Sequence, residues 1–251
     1  MLRLDKLGGS GPDLVLLPGW ASDGRIFTPL FSSLMAYFTL HLASWREAEW
    51  VELSPKAFKQ QIIIDLTGQL PDQSILVGWS LGGLIAVNLA HHSPHKVKSL
   101  MTLAFNPSFI EQSDWSCAMS RENFASFQRA YAKHPKKTLR EFSALQLLGE
   151  TRRQTVQRQL LNSRSQLTDK TQLRLLALLQ EDARSMVQQL VQPQCYCYGT
   201  EDVLAPSSSL IAEVSLLNPS IETRSYQGSA HLPFLSAPSQ WLKDLIDWCD
   251  L

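Results

Sequence analysis

Residues Gly78-Trp79-Ser80-Leu81-Gly82 place a serine between two glycines, at the junction of two unlike segments. The apolar run Ser74-Ile75-Leu76-Val77 before it reads as a buried strand. The run Leu84-Ile85-Ala86-Val87-Asn88-Leu89-Ala90 after it reads as a helix. A chain that changes from strand to helix within five residues has to turn sharply. The glycines let neighbouring backbone pass where a Cβ would collide, and the serine is forced to a strained φ/ψ. Such a turn would lift the serine hydroxyl clear of the neighbouring backbone. Three fixed residues of ordinary abundance match a chain of this length on the order of one time in ten by chance, so the flanking strand and helix carry much of the argument.

The rest of the chain alternates in the same manner. Strands are expected near Leu14–Leu17, Phe38–Leu42, Ile75–Val77, Val97–Ala104, Cys195–Tyr198 and Ile221–Tyr226. Helices are expected near Ile26–Met35, Pro55–Gln69, Leu81–His92 and Ser207–Leu216, with a last one from about Ser239 to Asp247. Alternation of this kind predicts an α/β fold, a mostly parallel sheet with helices on both faces. It breaks between about Phe109 and Leu190, a long stretch of helical pattern rich in Arg, Lys and Gln. The 251 residues and their 44% hydrophobic share suit one large domain with an insertion. No run of eighteen apolar residues occurs, so no membrane span is expected. The start, Met1-Leu2-Arg3-Leu4-Asp5-Lys6, has no apolar leader core, and the four cysteines show no zinc spacing. A cytoplasmic location, packed thiols at Cys195 and Cys197, and a monomer are expected.

The strand–serine–helix turn resembles the nucleophile elbow of the α/β-hydrolases, and the resemblance extends over nearly the whole chain. It implies a core of residues 1–108 and 191–251 with a helical lid at 109–190. A lid of this kind closes over the substrate and sets its choice. A serine hydroxyl needs a base, and the base an orienting acid. The resemblance implies the chain order Ser, acid, His. Of six histidines only His231 stands well after Ser80 in a loop-like setting, Gly228-Ser229-Ala230-His231-Leu232-Pro233-Phe234. The expected acid is Asp202, in Thr200-Glu201-Asp202 at the end of the strand Cys195–Tyr198, with Glu201 as its competitor. The loop Pro18-Gly19-Trp20-Ala21 after the first apolar strand is expected to supply the second oxyanion donor. Trp20 N–H and Leu81 N–H are the pair, and the Trp20 side chain is expected to line the acyl pocket.

More narrowly, the chain resembles the pimeloyl-acyl-carrier-protein methyl ester esterases of biotin synthesis. The matching stretches are Leu16-Leu17-Pro18-Gly19-Trp20, Phe38–Leu42, Gly78-Trp79-Ser80-Leu81-Gly82-Gly83-Leu84, Phe142-Ser143-Ala144-Leu145-Gln146, Tyr198-Gly199 and Ala230–Phe234. The resemblance implies a serine carboxylesterase acting on a carrier-bound ester, without metal or cofactor. It also implies a substrate site of Trp20, Ser80, Leu81, His231 and the segment Phe142, Ser143, Ala144, Leu145 and Gln146. One segment departs from relatives: Ala43-Ser44-Trp45-Arg46-Glu47-Ala48-Glu49-Trp50 stands where a D-x-P-G-x-G-x-S loop is usual.

Charge divides the chain unevenly. Residues 111–190 carry 13 Lys and Arg against 8 Asp and Glu, although the whole chain is balanced at 23 each. A basic face would steer an acidic acyl-carrier protein, with Lys137, Arg140, Arg153 and Arg158 as the docking residues. A solvated helix face is the plainer reading of the same charges. Nucleic acid is a poor partner, since the excess is small and no binding motif accompanies it. Three other functions stay open: a small-molecule esterase or thioesterase, a menaquinone-pathway lyase of the same fold, and a binding protein with an idle triad.

Overall fold

The apolar runs read as strands lie side by side in one sheet. The computed structural model describes residues 2–47 and 53–251. Its strands are β1 (Leu2–Gly9), β2 (Asp13–Leu17), β3 (Thr39–Trp45), β4 (Ser74–Trp79), β5 (Val97–Leu103), β6 (Gln194–Gly199) and β7 (Glu222–Tyr226). They are ordered β1-β3-β2-β4-β5-β6-β7; β1 runs antiparallel to β3 and all other neighbours pair in parallel. Every residue of β4 and β6 is buried, as strands covered on both faces require. Cys195 and Cys197 are free, buried thiols of β6.

The helices are α1 (Phe31–Leu34), α2 (Pro55–Thr67), α3 (Leu81–His92), α4 (Arg121–Lys133), α5 (Pro135–Leu145), α6 (Arg153–Asn162), α7 (Asp169–Leu178), α8 (Arg184–Gln189), α9 (Ser207–Leu217), α10 (Pro233–Ser236) and α11 (Pro238–Trp248). The link from β2 to β3 moves one way across the sheet, and all later links move the other way. Right-handed crossovers therefore put the two sets on opposite faces. On one face α2 packs on α3, α3 on α8 and α8 on α9. On the other, a 3-10 segment (Gly24–Leu30) and α11 meet through the Phe27, Phe234 and Trp241 rings. The reversal lies between β2 and β4, where an open sheet presents a crevice at its carboxyl edge.

Three details differ from the sequence expectation. Strand β1 lies at the edge of the sheet, and its Arg3, Asp5 and Lys6 hide its period. The helix expected from Ile26 begins as a 3-10 turn containing Pro29 and keeps only one α turn. Strand β3 runs on to Trp45, so the unusual loop starts as strand. Its residues 48–50 lie outside the described residues. Glu47, just past β3, accepts hydrogen bonds from Thr168 N and Oγ1, each at 2.9 Å, and from Thr171 Oγ1. A carboxylate at the amino end of α7 also favours the helix dipole.

Helix α3 sits unusually close to the sheet. A Cβ on Gly82 would fall 2.1 Å from Leu17 O, so only glycine lets the helix start there. Gly82→Ala must push α3 off β2. It is expected to cost about 3 kcal/mol and to lower the melting temperature by roughly 6–12 °C. An unchanged thermal unfolding curve would contradict this packing. The Glu47 carboxyl is pushed up by burial, but the bonds from Thr171 and Thr168 outweigh this and hold it below its ordinary 4.5. Its contribution is therefore full above the carboxylate range and is lost as pH falls through the lowered value. Glu47→Gln is expected to lower the melting temperature by about 2 °C at neutral pH. The gap to wild type should close as the solution is acidified toward pH ~3.

Candidate active site

Four loops at the carboxyl edge of the sheet converge on one cavity. They follow β2, β4, β6 and β7 and carry Trp20, Ser80, Asp202 and His231. Ser80 bridges β4 and α3 with φ 53° and ψ −114°, a left-handed backbone that costs a non-glycine residue about 1–3 kcal/mol. Its N–H is held by Leu103 O at 2.9 Å, and its hydroxyl does not cap the helix.

Asp202 follows β6 and is 4% exposed. Its Oδ1 accepts the N–H groups of Leu204 (2.8 Å) and Ala205 (3.1 Å), and its Oδ2 lies 2.8 Å from His231 Nδ1. The competing Glu201 is exposed, and its carboxylate accepts only from Thr200 Oγ1, at 3.1 Å, among the described residues. A carboxylate only accepts, so His231 Nδ1 carries the proton and Nε2 keeps its lone pair. That Nε2 is buried and has no hydrogen-bond partner among the described residues. The other histidines lie elsewhere. His41 pairs with Asp13 at 2.6 Å within the sheet, His91 and His92 close α3, and His134 precedes α5.

Ser80 and His231 both line one apolar cavity. Trp20, Phe127 and Phe142 form one aromatic wall, with ring centroids 5.1 to 5.6 Å apart. Tyr131 backs Trp20 at 5.3 Å. Burial and the Asp169 carboxylate push its phenol well up, so it stays neutral. Of the matched segment 142–146, Phe142 and Leu145 line this cavity. Ser143 and Gln146 line a small recess behind Trp20, and Ala144 is exposed on α5. Leu81 is the first residue of α3, so its N–H has no partner within the helix. Trp20 lies in a turn closed by Ser22 N–H to Gly19 O at 3.3 Å. That turn is strapped to the far chain by Asp23 N–H to Ser163 O (2.8 Å) and Ser165 N–H to Ala21 O (3.1 Å).

The Trp79 indole joins these loops from below. It is fully buried and donates from Nε1 to His231 O at 2.8 Å. Its ring meets the edge of Phe234 at 5.7 Å, and a Cβ at Gly19 would come 2.9 Å from its Cε3. Sequence reasoning missed much of the cavity wall: Phe109, Phe124, Phe127, Leu176, Leu179 and Leu204. The spacing Phe124, Phe127, Tyr131 along α4 was the available signal, an i, i+3, i+7 stripe. Lys137 and Arg140 on α5 and Arg153 and Arg158 on α6 are all exposed. Lys137 faces Glu141 at 3.8 Å and Arg153 reaches Leu147 O at 3.4 Å.

Comparison with known proteins agrees with this architecture. Residues 57–238 match the family model for the alpha/beta hydrolase fold. The pimeloyl-[acyl-carrier protein] methyl ester esterase of Xanthomonas axonopodis is 32% identical over 95% of both chains. That of Xylella fastidiosa strain 9a5c is 34% identical over 94% of both. Among solved structures, an esterase from Exiguobacterium antarcticum superposes with a TM-score of 0.84 at 15% identity, over all of this chain and 96% of the other. The chain belongs to the α/β-hydrolase family and, within it, to the family of the pimeloyl-[acyl-carrier protein] methyl ester esterases.

Proposed function

We propose that the chain is a serine carboxylesterase that cleaves the methyl ester of a pimeloyl group held on acyl-carrier protein. One observation carries the reading. Asp202 holds His231 Nδ1 at 2.8 Å while the buried, unpartnered Nε2 belongs to a residue that lines one cavity with Ser80. An imidazole held this way is a base, and Ser80 offers the hydroxyl. The names of the relatives support the substrate. The cavity supports it independently. Apart from Ser80 and His231 its lining among the described residues is apolar, with no Lys or Arg. A methylene chain ending in a neutral ester fits such a wall, whereas a free carboxylate would lose its hydration without a fixed cation. The same wall would help expel the product acid.

The reaction is a two-step acyl transfer. His231 Nε2 takes the Ser80 proton as Oγ bonds to the ester carbonyl carbon. Trp20 and Leu81 N–H groups donate to the oxyanion. Collapse breaks the bond to the methoxy group, which leaves as methanol with the proton from His231. Water then gives a proton to His231 and attacks the acyl-serine. Collapse of that second intermediate returns the proton to Ser80 and frees the acid. Asp202 keeps the imidazole in its tautomer and offsets the imidazolium charge.

Residues 109–190, above all α4–α7, act as the lid in this reading, and Lys137, Arg140, Arg153 and Arg158 receive the acidic carrier. Helix α8 packs on α3 and α9 and belongs structurally with the layer beside the sheet. Ser80→Ala is expected to lower turnover of both a p-nitrophenyl ester and the carrier-bound ester by at least about a thousandfold. Wild type inert toward both would mark an idle triad. Expression should also restore growth without biotin to a strain lacking this esterase; failure despite good expression counts against the carrier-bound substrate. Reversing Arg140, Arg153 and Arg158 to Glu should cut kcat/KM for the carrier-bound ester by about 10- to 1000-fold at low salt. The small ester should be spared, and equal losses on both would remove the docking claim.

A further inference from the structure

The turn between α5 and α6 lies against the loop that carries His231. Glu150 stands in that turn, 6% exposed, and no step of the reaction above uses it. Its Oε2 accepts the Ala230 N–H at 3.0 Å and the Ser236 hydroxyl at 2.5 Å. Its Oε1 accepts the Arg152 N–H at 2.9 Å. Ala230 immediately precedes His231, and Ser236 ends α10, so one carboxylate holds the loop on both sides of the base. Four more hydrogen bonds run beside it. His231 N–H meets Gln146 O at 3.2 Å, and Thr151 gives its N–H (3.0 Å) and its hydroxyl (2.9 Å) to Gly228 O. The Arg152 guanidinium meets Ser236 O at 3.0 Å. A buried carboxylate is costly unless donors converge on it. Here both donors to Oε2 come from the His231 loop.

We propose that Glu150 is a positioning residue of ester hydrolysis: by anchoring Ala230 and Ser236 it fixes where the His231 loop holds Nε2 relative to the Ser80 hydroxyl. The proposal rests on His231 being the general base. Glu150 touches no substrate and acts only through the loop. A base displaced by about 1 Å can cost on the order of 100-fold in rate.

The test compares Glu150→Ala, Glu150→Gln and Ser236→Ala in the full chain on p-nitrophenyl butyrate, with Ser80 labelling by a fluorophosphonate as a second readout. Glu150→Ala should lower kcat and the labelling rate together by about 100-fold, with KM within about twofold of wild type. Glu150→Gln can keep an oxygen toward Ala230 and Ser236 and should recover most of that loss. Ser236→Ala removes one of the two Oε2 donors and should lower kcat by about tenfold, which keeps the test decisive if Glu150→Ala does not fold. A folded Glu150→Ala with kcat within about twofold of wild type overturns the proposal. So does an unaffected Ser236→Ala, or a Gln variant whose kcat and melting temperature fall in step with those of Ala. Ser80→Ala and His231→Ala run alongside separate the two claims. If they retain activity the triad reading falls, and if they lose it while the Glu150 variants do not, only the anchoring role falls.

Discussion

The hydrogen bond between Asp202 and His231 sets the demands that the rest of the fold meets. Both side chains are 1% exposed, so water does not compete for either partner. In such a place a charge-assisted bond contributes about 1.5–3 kcal/mol, and breaking it strands a buried charge at greater cost. The carboxylate must also be committed to one direction, and the N–H groups of Leu204 and Ala205 do this by occupying Oδ1. Strands β6 and β7 pair directly, with Gly199 opposite Tyr226, so Asp202 and His231 leave neighbouring strands. The serine does not. Strand β4 lies three positions from β7, a span of roughly 14 Å at ordinary strand spacing. The loop after β7 has to reach back across β6 and β5, and a loop that bridges such a distance needs fixed points outside the sheet.

Those fixed points come largely from the stretch between β5 and β6. The turn at residues 146–152 grips the His231 loop, and residues 163–165 grip the turn that holds Trp20. Glu47 ties the end of β3 to the start of α7, and the Trp20 indole donates to Gln172 O at 2.9 Å. The stretch between β5 and β6 is thus bonded to both the Trp20 turn and the His231 loop. An insertion that could have been a separate cap is joined to the core at several points.

How much of this was legible follows from what each residue does. The elbow was legible because Gly82 and Ser80 answer a steric demand within five residues. Asp202 followed because it leaves the end of the buried strand β6, which announces itself by composition, and His231 because it stands well after Ser80 in a loop-like setting; β7 before it is buried only at Tyr226. Strand β1 was not legible, since an edge strand can carry Arg3, Asp5 and Lys6 in water and loses its alternation. The cavity wall was only half legible. Phe142 came from a matched segment, whereas Phe109, Leu176 and Leu204 are assembled from separate elements by tertiary packing. Glu150 gave no signal at all. A lone glutamate after a glycine reads as a solvated turn, and only its distant donors show otherwise. The departure at 43–50 read as a changed loop; among its described residues, 43–45 finish β3 and Glu47 is bonded to Thr168, the N-cap of α7, and to Thr171.

The Trp79 indole gives the elbow, the Gly19 turn and the His231 loop a common reference. One side chain so shared cannot be altered for the benefit of one loop without disturbing the other two. The floor of the site is therefore hard to alter, and the shape of the cavity is open to change mainly in its roof, at positions such as Phe127, Phe142 and Leu176. Within that roof the short turn at 146–152 is the exception. A change there moves the His231 loop with it.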